Sequence, residues 1–158
     1  MGLYDGSKLI NMIAINESKI GKLYENLAND VIHEKSKNLF NKLAKDEYRH
    51  EKIYKKLLEN LGENKNIELD DDEIEYVEAL IQTNVLNDKN LNTKYTKEEA
   101  IMLAEQVERD GIILISQLID MYDQRDLKEI KTILKEEKKH LKYVLDVKFN
   151  SNVSLLGL

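Results

Sequence analysis

The sequence predicts an all-α fold: four long helices in two antiparallel hairpins, joined by a long crossover that contains a short helix. Three observations point there. Proline is absent and glycine numbers only six in 158 residues, so little interrupts long helices. Apolar residues recur at alternating steps of three and four in four separate segments. No stretch shows sustained period-two alternation with turn residues between segments, so strand signals are weak.

The first helix is expected from about Asp5 to Asn29, with the stripe Ile10, Ile13, Glu17, Ile20, Tyr24 and Leu27. The second runs from about His33 to Asn60, with the stripe Phe40, Leu43, Glu47, His50, Tyr54, Leu57 and Leu61, and stops near Gly62, a suitable C-terminal glycine. A connecting helix is expected over Asp70 to Leu86. Acidic residues fill its first turn, and its stripe is Ile74, Val77, Ile81 and Val85. The next long helix, from about Thr96 to Tyr122, opens on a capping box, Thr96 with Glu99 three residues later. Its stripe reads Ile101, Glu105, Glu108, Ile112, Ile115, Ile119 and Tyr122. The last runs from about Asp126 to Phe149, with Ile130, Ile133, Glu137, His140, Val144 and Val147. Short links make each pair of long helices an antiparallel hairpin. The segment from Gly62 to Tyr95 can travel back along a helix of ~25 residues, which is ~38 Å long. Two hairpins with one long crossover is the ferritin-like connectivity.

The length fits one domain over residues 1–158, with residues 149–158 as a C-terminal tail. That tail carries Leu155, Leu156 and Leu158, which either pack on a partner chain or fold back on the bundle. Charged residues at 34% against hydrophobic residues at 42% give a soluble balance. A net charge of −6 with Lys and Glu interspersed argues against nucleic acid and anionic membranes as partners. No run approaches the ~18 apolar residues that cross a bilayer, and the N-terminus lacks a signal-peptide pattern. Cysteine is absent, which excludes disulfides, a thiol nucleophile and thiolate-held metal in these residues. A cytoplasmic location is expected.

The informative residues are those that interrupt the stripes. Each stripe is apolar except near its middle, where five glutamates and two histidines stand: Glu17, Glu47, His50, Glu105, Glu108, Glu137 and His140. A buried, unpaired carboxylate costs several kcal/mol, so buried charges are paired or bound to metal. No Lys or Arg occupies a stripe position to neutralise them, whereas two divalent cations would supply four positive charges at that level. In Glu47/His50 and Glu137/His140 the Glu-x-x-His spacing puts carboxylate and imidazole on one helical face, one turn apart. Oxygen ligands with imidazole suit iron or manganese. The motif is short, and His33 follows Asp30 at the same spacing, but that pair falls at a predicted turn and is read as a surface feature.

The segments also repeat. Phe40 to Lys52 and Ile130 to Lys142 share Lys, Glu, His and Lys at matching positions. Glu17 precedes Glu47 by 30 residues and Glu108 precedes Glu137 by 29, so the paired glutamates sit at the same height in a pseudo-twofold bundle. Tyr24 and Tyr54 stand one turn beyond the acidic layer, either as core or as partners of the site. Gly111 is unfavourable inside a helix, and either leaves room for a small oxidant or marks a close helix contact.

On these residues the chain resembles the rubrerythrin-like branch of the ferritin-like superfamily, from about Ile10 to Asp146. Glu17, Glu47, His50, Glu105, Glu108, Glu137 and His140 match the family's metal-ligand positions. Glu105 favours this branch over the ferritins, and Tyr24, seven residues after Glu17, matches the tyrosine of its first helix. The resemblance implies two iron ions bridged by Glu47 and Glu137. Glu17, Glu105, Glu108 and His50 would be terminal ligands, and His140 a ligand or a group behind one. Tyr24 would be a catalytic partner. It further implies a homodimer that reduces hydrogen peroxide or dioxygen. Classical rubrerythrins add a rubredoxin domain with four cysteines; here electrons would come from a separate, rubredoxin-like protein. The alternatives are a ferroxidase or iron-storing protein, a manganese catalase-like enzyme that needs no reductant, and a metal-free helical interaction module.

Overall fold

A computed structural model describes residues 1–87, 89 and 94–155, with backbone alone over 151–155. A short strand β1 (Gly2–Asp5) precedes α1 (Ser7–Asp30) and α2 (Glu34–Leu61). Strand β2 (Asn66–Leu69) and α3 (Asp71–Gln82) lie in the crossover, followed by α4 (Lys97–Met121) and α5 (Lys128–Leu155). The four long helices make the ferritin-like bundle that the stripes predict. The side chains of the apolar tail from Val153 to Leu158 fall outside the described residues, as do crossover residues 88 and 90–93.

Cross-helix contacts give the directions. Tyr24 stacks on Phe40 with ring centroids 6.0 Å apart, while Glu17 meets His50, so α1 and α2 are antiparallel. Glu108 faces His140 and Glu105 faces Lys148, so α4 and α5 are antiparallel too. Tyr24 reaches Glu108, and Gly6 abuts Tyr122, which sets α1 against α4 in opposite senses. Helices α2 and α4 therefore run the same way, and the crossover has to travel the length of the bundle.

The ends follow local chemistry. The C-cap of α2 is Gly62 at φ 49°, a conformation that favours glycine. Thr96 and Glu99 form the expected capping box, and Asp70 and Glu73 form a second one at α3. Residues 2–5 are not helical. They pair antiparallel with β2, Gly2 opposite Leu69 and Asp5 opposite Asn66, so α1 begins at Ser7 rather than Asp5. Such strands, four residues each and far apart in sequence, leave no hairpin signal to read. Just beyond them a Cβ at Gly6 would collide with the Tyr122 hydroxyl, which donates to the Lys65 carbonyl at 2.8 Å.

The core divides in two. One apolar cluster, around Leu9, Ile13, Leu118 and Ile133, fills the sheet end. The other, around Leu27, Phe40, Leu103 and Val144, fills the far end. The charged layer lies between them. No described helix is long and apolar enough to cross a membrane.

Candidate metal centre

Six of the seven residues predicted to bind metal come together. Glu17, Glu47, His50, Glu108, Glu137 and His140 are each at most 3% exposed. Helix α1 contributes Glu17, α2 contributes Glu47 and His50, α4 contributes Glu108, and α5 contributes Glu137 and His140. They form two overlapping clusters, Glu17/Glu47/His50/Glu137 and Glu47/Glu108/Glu137/His140, each with potential ligand atoms within 4.8 Å of one another. Glu47 and Glu137 belong to both.

The two imidazoles lie nearly parallel, 5.8 Å apart, and both point Nδ1 inward. His50 Nδ1 lies 2.9 Å from Glu137 Oε1 and 3.1 Å from Glu17 Oε2. His140 Nδ1 lies 2.7 Å from Glu47 Oε1 and 3.1 Å from Glu137 Oε2. The outward nitrogens are held crosswise. His50 Nε2 sits 2.6 Å from Glu136 on α5, and His140 Nε2 sits 3.2 Å from Asp46 on α2. Each motif's preceding acid thus holds the other motif's histidine. Arg49 closes the ring, 2.5 Å from Glu136 and 3.5 Å from Asp46, and Lys42 lies 3.2 Å from Asp46.

The electrostatics show how far this layer is from an ordinary core. Burial, followed by the charge of Glu137, pushes the Glu47 and Glu108 carboxyls well above the usual range, and Glu17 shifts the same way. Glu137 itself goes down: burial opposes its charge, but hydrogen bonds from His140 and His50 outweigh that. Burial also disfavours charged imidazoles. Asp46 and Glu137 nevertheless push His140 up to about 10, and Glu137, Glu17 and Glu47 hold His50 well above the usual imidazole range. Without metal the layer is stabilised by protons.

The donor set fits two divalent cations. Four buried carboxylates carry four negative charges, which two such ions balance while both imidazoles become neutral. Glu47 Oε2 is buried without a hydrogen-bond partner, although its partner oxygen is well held. A bound cation would engage that oxygen. The outer acids match the usual support of a metal-bound histidine, whose far N–H is anchored by a carboxylate.

Tyr24 donates its hydroxyl to Glu108 Oε1. Burial, then the charge of Glu108, pushes its phenol up, so it stays a donor. Tyr54 is fully buried, with a hydroxyl that lacks a partner. Glu105 is not brought into the cluster. It is half-buried at the edge of α4 and accepts from Lys148 Nζ at 3.2 Å. The buried face of α4 runs through Ala104, Val107 and Glu108, whereas Ile112 and Ile119 are half-buried. The helix is rotated from the stripe drawn through Glu105, because steps of three and four allow either register. His33 is exposed ahead of α2, as expected of a surface residue. No atom beyond its own helical backbone and chain neighbours lies within 4 Å of a Cβ built at Gly111, which excludes the close helix contact.

Sequence reasoning missed Asp46, Glu136 and Arg49. The signal was the acid directly before each motif, in Asp46-Glu47-Tyr48-Arg49-His50 and Glu136-Glu137-Lys138-Lys139-His140. In helices this rich in charge such acids read as solvated face.

Fold and layer together define a ferritin-like helical protein whose core carries Glu/His clusters able to bind metal. The chain belongs to the rubrerythrin family, whose model matches residues 8–147 and so reaches into all four bundle helices and covers every residue of the layer. No curated protein and no solved structure matches the chain.

Proposed function

We propose that this protein is a di-iron oxidoreductase that reduces hydrogen peroxide, or dioxygen, with electrons from a separate donor protein. The observation that carries this is the pair of overlapping buried clusters sharing Glu47 and Glu137. Those two glutamates would bridge the ions. Glu17 and His50 would complete one half, Glu108 and His140 the other. The chemistry an iron pair supplies when bound is two-electron reduction of an O–O bond, which turns peroxide and two protons into two waters.

The remaining roles belong to the chain. Asp46 and Glu136 hold the outer imidazole N–H groups, which leaves each Nδ1 free to face a metal. Tyr24 occupies one oxygen of Glu108 and so orients the other. The two apolar clusters keep bulk water from both sides of the layer. Glu105 would join as a further ligand only on leaving Lys148. With no cysteine in these residues to build a thiolate iron centre, electrons would arrive from a rubredoxin-like partner.

Metal analysis of protein purified without air, followed by peroxide addition, tests the proposal. The expected result is about two irons per chain, one set for each cluster, oxidised faster by peroxide than by air. Less than about half a metal per chain after reconstitution would overturn it. Two manganese ions, with peroxide dismuted in the absence of reductant, would replace it with the catalase-like reading.

A further inference from the structure

One flank of the charged layer borders a small cavity. A cavity of about 10 Å³, room for about one water-sized molecule, lies between α1, α4 and the crossover. Glu17 lines it on the inside, and half-buried Asp110 and Gly111 line it on the outside. Its polar wall is a reciprocal amide pair. Asn16 donates to Asn84 at 3.1 Å and Asn84 donates back at 3.1 Å, both side chains being buried. Asp110 accepts from the Val85 amide at 3.3 Å, which fastens the crossover over α4 beside this wall. Gly111 sits in mid-helix, where glycine is poorly suited, yet nothing beyond its own helical backbone and chain neighbours lies within 4 Å of a Cβ built there. Packing does not demand the glycine, and a side chain at this position would enter open space beside the cavity.

Building on the peroxide-reducing function above, we propose that this cavity is the entry passage for the oxidant, and that Gly111 and the Asn16–Asn84 pair determine what enters. The occupant is small, uncharged and able to hydrogen-bond, the class of hydrogen peroxide. Size excludes a hydrated divalent cation, which keeps several waters and needs far more room. Its carboxyl-bearing lining, Glu17 and Asp110, offers no cationic group to hold an anion. The amide pair offers N–H and C=O groups to a peroxide, and the passage delivers it to the His50 half of the centre, where Glu17 stands.

Two variants test this. Gly111→Ala fits the space and narrows it; Gly111→Leu fills it. Stopped-flow oxidation of iron-loaded protein by hydrogen peroxide should slow by about tenfold in Gly111→Leu, an extra barrier of one decade, and by less in Gly111→Ala, with iron content unchanged in both. A second measurement needs no metal. Dissolved dioxygen should enhance NMR relaxation of the Ile20 and Val107 methyl groups that line the cavity, more than methyls deep in either core cluster, and Gly111→Leu should abolish the difference. An unchanged rate in fully loaded Gly111→Leu would overturn the passage while leaving the iron chemistry intact. Relaxation of the lining methyls no greater than that of the deep core would overturn it as well. If the wild-type chain takes up no iron, the functional proposal falls, and the methyl relaxation alone then decides whether the passage admits small molecules.

Discussion

The half-site built on His50 and the half-site built on His140 start from one five-residue pattern and are held differently. In the His140 half, buried Glu108 is tied to the Tyr24 hydroxyl. In the His50 half, Glu17 meets His50 on one side and the Asn16–Asn84 cavity on the other. The outer acids differ too. Glu136 is gripped by Arg49 at 2.5 Å, whereas Asp46 is shared by Lys42 and a more distant Arg49. A repeated sequence thus yields two halves with the same ligand types and different surroundings, the Glu17 side bordering a small cavity. The symmetry lies in the ligands, and the asymmetry lies in what surrounds them.

Removing what the halves share has the largest effect. Glu47→Ala combined with Glu137→Ala should take metal content from about two ions per chain to less than about half, measured by elemental analysis. Retention of either metal would refute the sharing of these glutamates. Next, Glu17→Ala and Glu108→Ala should each weaken mainly one of two sequential binding steps in a cobalt titration; equal loss at both steps in both variants would remove the distinction between the halves. Third, Asp46→Asn and Glu136→Gln should each lower metal affinity by roughly 10–100-fold without a large change in fold. Glu136→Gln should have the stronger effect, because it also releases Arg49.

Proton occupancy gives a fourth comparison, between metal-free and metal-loaded protein. His140 has its pKa raised to about 10 in the fold against an ordinary 6.5, so its stabilising effect is complete below 6.5 and is lost as pH rises through about 10. His50 and the raised glutamates act in the same direction, since the folded state binds more protons than the unfolded one. The metal-free protein should therefore lose stability as pH rises, from about 4.5 upward for the glutamates and through about 6.5 to 10 for His140, by up to about 1.4 kcal/mol per pH unit for each proton. The loaded protein should not, because cations replace the protons, and metal uptake should release protons into weak buffer. Thermal melts across that range check both. The smallest effect is expected from Tyr24→Phe, which leaves a Glu108 oxygen without its donor at a cost of roughly 1–3 kcal/mol. It should perturb the cobalt site of the Glu108/His140 half and leave the His50 half unchanged.

Much of this was legible in the residues. The lack of proline, the four stripes, the Thr96 capping box and Gly62 place α1, α2 and α4 closely, because those signals are local, whereas α3 stops at Gln82 rather than Leu86 and α5 runs to Leu155 rather than Phe149. Glu17, Glu47, His50, Glu108, Glu137 and His140 stand out because charge in the middle of an apolar stripe is costly wherever the helix packs. Other features needed the assembled fold. Strands β1 and β2 pair across the length of a hairpin, with nothing in either segment to announce the other. Glu105 and Glu108 both satisfy a period of three and four, and only the packing of Ala104 and Val107 turns α4 so that Glu108 faces the layer while Glu105 meets Lys148. Asp46 and Glu136 look like solvated charges until α2 and α5 meet and set each against the opposite histidine. The periodicity of a helix specifies which residues share a face, whereas the rotation of that face, and the contents of the space beside it, depend on neighbours that arrive from elsewhere in the chain.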